Sequence, residues 1–300
     1  MKIEFRQVTK RYGKRTEAVK ETSLIMDQPS ITGLVGRNGA GKTTLLQLLA
    51  GYVKPTEGEV LISGERPFNH EALAAKVALI DDRMSFPEGL SLGMVMKMAE
   101  KMCPNWNKAI ADGLFTYFEF DDKMRHEDLS KGKKSLFNTV FGLAARTEVT
   151  LFDEPTTGMD EETRRDFYRA LLKDYLEEPR IILVSSHHIG ELEDLLDSVI
   201  VMEKGRILLH EDMADLDDYA FAVTGSNEAV MEAVAGKQVL DEEAVGPNLK
   251  RVILKRDMTT IPEPFTDAGF KVGRVSATEV CHALTKSRKG AIDDVYSSKQ

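Results

Sequence analysis

The chemistry of this chain is concentrated in three short stretches. Gly36-Arg37-Asn38-Gly39-Ala40-Gly41-Lys42-Thr43 fits the pattern G-x-x-x-x-G-K-[ST]. Its glycines let the backbone turn tightly and bring N–H groups against phosphate oxygens. Lys42 supplies a point charge for β- and γ-phosphates, and the Thr43 hydroxyl suits a Mg²⁺ ion that bridges them. Val149-Thr150-Leu151-Phe152-Asp153-Glu154-Pro155 is an apolar run ending in two carboxylates. Beside a phosphate loop, Asp153 can hold Mg²⁺ directly or through water. Glu154 can orient and deprotonate a water for in-line attack on a γ-phosphate. Ile181-Ile182-Leu183-Val184-Ser185 is a second apolar run, ending at Ser186-His187-His188. A histidine at a strand end is often structural; on a strand parallel to that of Asp153, His187 reaches the same phosphate.

These groups work together only if buried strands end side by side. Ile31-Thr32-Gly33-Leu34-Val35 reads as such a strand, and Thr43 to Ala50 as a helix closed by Gly51. The positive end of that helix, with Thr43 and Thr44 in its first turn, then faces the phosphates. Ile3, Phe5 and Val8 alternate with polar residues as a first strand, Ala18 to Met26 is a second, and Glu59 to Gly64 another. Tyr12 lies between the first two, in a polar stretch. It is either a surface residue or a platform for a nucleotide base. Lys76 to Ile80 is a buried strand ending at Asp81-Asp82. From about Ser85 to Arg146 the spacing turns helical, through Leu92, Val95, Met96 and Ala99 and then Trp106, Ile110, Leu114 and Phe118. Met84, Met94, Met96, Met98 and Met102 cluster here, either as core or as an adaptable docking surface. Ser130 and Asp160 read as helix N-caps. Val199–Met202 and Ile207–Leu209 form a hairpin around Lys204-Gly205.

Composition bounds the answer. The chain has 300 residues, enough for two domains, and 42% of them are hydrophobic. No apolar run approaches the ~20 residues that cross a bilayer, and the N-terminus has no signal-peptide pattern. Both features point to the cytoplasm. Cys103 and Cys281 are far apart and read as ordinary thiols. A net charge of −9 disfavours nucleic acid as a partner.

In their order, these motifs resemble the ATPase subunit of ATP-binding-cassette (ABC) transporters over residues 1 to about 215. Tyr12 matches the aromatic loop that stacks on adenine. Gly36 to Thr43 matches Walker A, and Leu151 to Glu154 matches Walker B with its catalytic glutamate. Leu129-Ser130-Lys131-Gly132-Lys133 sits where the L-S-G-G-Q signature belongs. Gly158-Met159-Asp160 looks like the D-loop, and His187 like the switch histidine. The resemblance implies an α/β P-loop NTPase cassette with an N-terminal antiparallel β subdomain and an inserted helical subdomain at about 85–146. It implies ATP and Mg²⁺ as ligands, with ATP held by Tyr12, by Gly36 to Thr44 and, across a dimer, by Ser130 and Gly132. Glu154, His187 and Lys42 are then the catalytic groups, and Thr43, Asp153 and Asp82 the metal-binding ones. It also implies a homodimer or heterodimer that closes on ATP and drives separate transmembrane permease subunits. The subunit would sit peripherally on the inner face of the cell membrane. The wording of Gly36 to Gly51, of Val184 to His188 and of Glu191-Leu192-Glu193 is most similar to ATPases of bacterial exporters. There are two departures. Lys131 and Lys133 replace a Gly and a Gln of the signature, and Asp82 stands at the Q-loop position. No long coiled coil and no second cassette appear, as soluble ABC proteins of DNA repair or translation would need. Glu154 and His187 argue against a module without hydrolysis.

Residues 216–300 carry no chemical motif. They read as strand (219–223), helix (227–234), strand (238–240), strand (249–255), helix (261–268) and strand (270–275). That order suggests a small α+β accessory domain of ferredoxin-like type.

Overall fold

The computed structural model describes residues 1–13, 16–187, 189–256, 265 and 269–286. The chain divides into two compact units, Met1–Met213 and Ala214–Gln300.

In the first unit, β1 (Ile3–Tyr12), β2 (Thr16–Met26) and β4 (Glu57–Ile62) form an antiparallel sheet in the order β2-β1-β4. The second sheet has six strands in the order β5-β6-β7-β3-β8-β9. They are β3 (Ser30–Val35), β5 (Val77–Ile80), β6 (Val149–Asp153), β7 (Ile181–Ser186), β8 (Ser198–Glu203) and β9 (Arg206–Asp212). All pairs are parallel except the β8–β9 hairpin. Strands β6 and β7 are buried along their whole length, which is why they read as unbroken apolar runs.

Helix α1 (Lys42–Leu49) follows β3 and buries Leu45, Leu46, Leu48 and Leu49 between the two sheets. Each such leucine stabilises the unit by about 1.5–3 kcal/mol. The short α2 (Glu71–Ala74) was not expected. It is one turn long, with His70 Nδ1 accepting a bond from Leu73 N.

The helical stretch resolves into α3 (Leu92–Met102), α4 (Lys108–Tyr117) and α5 (Lys131–Ala145). Asn107 caps α4, so Trp106 lies just outside it. The methionines divide. Met96 joins the core of this subdomain, whereas Met94, Met98 and Met102 form an exposed stripe at i, i+4 and i+8. Phe86 packs edge-on against Phe137 of α5. Helix α6 (Glu161–Glu177) starts at its Asp160 cap and bridges β6 to β7.

A short α7 (Met213–Leu216) spans the boundary of the units. The second unit contains β10 (Ala220–Ser226), α8 (Asn227–Ala233), β11 (Val239–Gly246), β12 (Leu249–Lys255), β13 (Lys271–Arg274) and α9 (Ala277–Thr285). Its sheet order is β11-β12-β10-β13, with every pair antiparallel. The helix expected over 261–268 lies outside the described residues, apart from Phe265, which is buried in this unit's core. Helix α9 carries a full capping box between Ser276 and Glu279. Edge strand β11 exposes Glu242 and Glu243, charges that discourage edge pairing.

Candidate nucleotide site

Strand register assembles the site. Val35 pairs with Ser186, and Asp153 with Ser185. The carboxyl ends of β3, β6 and β7 therefore lie side by side, where open α/β sheets bind ligands.

The loop from Gly36 to Gly41 is clamped from two sides. A Cβ on Gly36 would fall 2.4 Å from Met202 O, and one on Gly41 2.3 Å from Ala18 O, with Gly41 at φ +110°. Gly205 N, in the β8–β9 turn, donates to Ala40 O at 2.8 Å. Arg37, Asn38 and Gly39 are exposed, while Ala40 is buried. Helix α1 has no side-chain cap and no acid in its first turn. The N–H groups of Lys42, Thr43 and Thr44 therefore remain as anion donors.

Lys42 is 6% exposed. Its Nζ donates to Gly36 O at 2.6 Å and lies 3.1 Å from Glu154 Oε1. The approach to Oε1 is an ion pair without hydrogen-bond alignment, and that buried oxygen has no hydrogen-bond partner among the described residues. The other oxygen, Oε2, lies 2.8 Å from His187 Nδ1. Lys42, Glu154 and His187 are thus in one chain of contacts. Glu154 has φ +49°, an uncommon conformation for a side-chain-bearing residue. Its N–H donates to Ser185 Oγ at 2.9 Å, and Ser185 Oγ donates to Asp153 Oδ1 at 2.5 Å. Ser185 is thus a site residue that sequence reading missed. Its only signal was a hydroxyl in an apolar strand, and its role depends on the β6–β7 register.

This donor set fits a triphosphate: a cradle of backbone N–H groups, a helix N-terminus and a buried ammonium. Glu154 Oε1 fits a water as its acceptor. Among the described residues no three His, Cys, Asp or Glu side chains form a metal cage. Mg²⁺ needs none, since it takes one or two carboxylates plus phosphates and water. The Thr43 hydroxyl and the buried Asp153 are oxygen donors of that kind. A bound Mg²⁺ would neutralise charge on the phosphates.

Asp82 is exposed in the turn after β5. Asn138, buried in α5, holds this turn by its backbone. Its Nδ2 donates to Asp81 O at 3.3 Å and to Met84 O at 3.4 Å, while His126 Nε2 lies 2.9 Å from its Oδ1. Burial lowers the His126 pKa below its usual value. Tyr12 lies at the end of β1, paired with Thr16, rather than in a loop. It is half exposed, with Lys10 Nζ 5.0 Å from its ring centroid.

Ser130 and Gly132 belong to a separate cleft. Ser130 caps α5 by accepting from Lys133 N at 3.4 Å. A Cβ on Gly132 would fall 2.2 Å from Gly158 O, so only glycine fits against the following loop. Both residues line a cleft of about 490 Å³ with Gly158, Met159 and Asp160. The Thr163 backbone N–H holds the Asp160 carboxyl below its usual pKa. Lys133 lines the same cleft, where its Nζ donates to Phe118 O at 2.9 Å and sits 5.2 Å from the Phe120 ring centroid.

Fold and site together define a phosphate-loop nucleotide-binding cassette. The ABC transporter family profile matches residues 19–157. The methionine import ATP-binding protein MetN 3 of Oceanobacillus iheyensis is 30% identical over 281 residues, covering 87% of this chain and 81% of that protein. The ABC transporter ATP-binding protein YtrB of Bacillus subtilis is 27% identical over 216 residues, covering 72% and 73%. Among solved structures, an ATP-binding subunit of an ABC transporter superposes with a TM-score of 0.64 at 21% identity, covering 72% of this chain and 92% of that one. A dimeric ATP-binding cassette bound to ADP and phosphate gives 0.61 at 20%, covering 70% and 98%. The chain belongs to the ABC transporter family, as an ATP-binding subunit with ATPase activity.

Lys42→Ala is expected to weaken ATP binding by about a hundredfold or more, the value of a charge-assisted contact of roughly 3 kcal/mol. Calorimetric titration with Mg-ATP measures it. An affinity equal to that of the unaltered chain removes Lys42 from the phosphate site.

Proposed function

We propose that this chain powers a separate transmembrane permease through ATP-driven closure of a dimer. The carrying observation is the split site. Lys42, Glu154 and His187 converge at the strand ends, while Ser130 and Gly132 line a different cleft with Gly158. A second copy, or a related subunit, brings its own Ser130 equivalent to this chain's phosphate loop. Each ATP is then enclosed only when two cassettes meet, and Mg²⁺ would be held by Thr43, Asp153 and Asp82. Glu154 takes the proton of the attacking water, and His187 holds Glu154 in line.

No helix among the described residues is long and apolar enough to cross a membrane. The subunit works from the cytoplasmic face. Export is the proposed direction, on the likeness of Gly36 to Gly51 and Val184 to His188 to exporters. One relative is named for methionine import and another, from Bacillus licheniformis, for bacitracin transport. For the second unit we propose a ferredoxin-like accessory domain. The sheet order β11-β12-β10-β13 with antiparallel pairing supports it.

The test is purification of the tagged chain with Mg-ATP from detergent-solubilised membranes of its host. A multi-spanning membrane protein is the expected companion. Recovery with only ribosomes, nucleic acid or soluble proteins overturns the proposal.

A further inference from the structure

Helix α6 presents Arg164 and Tyr168 one turn apart on one face. Tyr168 is buried, which pushes its phenol up to about 12. Its hydroxyl lies 3.3 Å from Thr156 Oγ1. Thr156 is part of the turn in which Thr157 N and Oγ1 donate to Glu154 O at 3.2 and 2.9 Å. Arg164 Nη1 donates to Glu191 Oε1. Glu191 closes the 3₁₀ turn Ile189–Glu191, which follows His187. One face of α6 therefore holds the Glu154 turn through Tyr168 and the His187 loop through Arg164. Arg164, Tyr168 and Glu191 line a common cleft of about 380 Å³. Arg164 Nε is buried without a hydrogen bond among the described residues, so Glu191 is the main tie of this guanidinium. Both partners are partly exposed, at 26% and 34%, and a pair so placed adds little to stability. Its location explains it better.

We propose that Arg164 is a positioning residue for ATP hydrolysis, holding the His187 loop in register with Glu154 through Glu191. The proposal rests on the reading that Glu154 and His187 act at the γ-phosphate. Because α6 starts at Asp160, the same strut ties the histidine to the loop that abuts Gly132.

The test is steady-state ATP hydrolysis by the full chain carrying R164A, E191A, the charge-reversed pair R164E/E191R, or H187A, with thermal midpoints measured in parallel. R164A and E191A are each expected to lower kcat about tenfold, with KM for ATP changed less than about twofold. The reversed pair is expected to recover most of the loss. Full turnover in R164A alongside a dead H187A overturns this inference and leaves the site reading intact. Full turnover in H187A overturns the site reading, and the inference with it. A joint fall of midpoint and activity in R164A, with no recovery in R164E/E191R, makes Arg164 a structural residue and overturns the inference.

Discussion

Glu154→Gln is expected to bind Mg-ATP with undiminished affinity and hydrolyse it about 10²–10⁴ times more slowly, the usual value of a general base. The substitution keeps the shape and the backbone turn but removes the basic oxygen. In the folded chain that oxygen, Oε1, is buried, lacks a hydrogen bond among the described residues, and faces only the Lys42 ammonium. Such an acceptor serves a water that arrives with substrate. Replacing it with an amide also removes a negative charge beside Lys42, so phosphate binding should not suffer. With hydrolysis stalled, the ATP-bound dimer should persist. Size-exclusion chromatography with light scattering in Mg-ATP would show it, and phosphate release would measure turnover. Turnover within about twofold of the unaltered chain would remove Glu154 from the role of base.

Asp174→Ala has the largest expected effect on stability. Asp174 is 3% exposed and lies between two arginines. Its Oδ1 accepts from Arg146 Nε at 2.8 Å, and its Oδ2 from Arg180 Nη2 at 2.7 Å. Arg180 is 6% exposed, with its Nε reaching only the Thr150 hydroxyl at 3.3 Å. Removing the carboxylate strands a buried guanidinium, which costs about 3–5 kcal/mol. For a unit of this size that lowers the thermal midpoint by roughly 6–20 °C. Arg146 sits at φ +43° beyond the end of α5, a place that favours glycine, and the Asp174 pair helps hold it there. Near-ultraviolet circular dichroism against temperature reads the outcome. A shift below about 2 °C would mean that the triad is not worth its desolvation.

The phosphate loop, the two carboxylates of β6 and the histidine after β7 were legible in the sequence because their chemistry is local. Each needs only a strand end and the right residue types next to it. What depends on register or phase was not legible. Ser185 matters because β6 and β7 pair so that it faces Asp153. Helical spacing groups Met94, Met98 and Met102, but it does not say which side of α3 meets the core. Tyr12 looked like a loop residue because its neighbours are polar, yet polar residues also end an exposed strand. Lys133 reads as a charge added to the signature, and only its bond to Phe118 O shows where that charge goes. Arg164 lies in α6 and Glu191 in the turn after β7, and no spacing rule links them. The Asn138 amide meets the Asp81 and Met84 carbonyls across 57 and 54 positions of chain.

The left-handed backbone at Glu154 has a consequence for how this protein can be improved. A glycine there would release about 1 kcal/mol of backbone strain, but it would also strand the buried Lys42 ammonium, which lies 3.1 Å from the Glu154 carboxylate. Relaxing the turn and neutralising that cation pull in opposite directions, so selection for heat tolerance finds no free gain at this position. Laboratory evolution of a sturdier variant will find its gains elsewhere in the chain and leave the base in place.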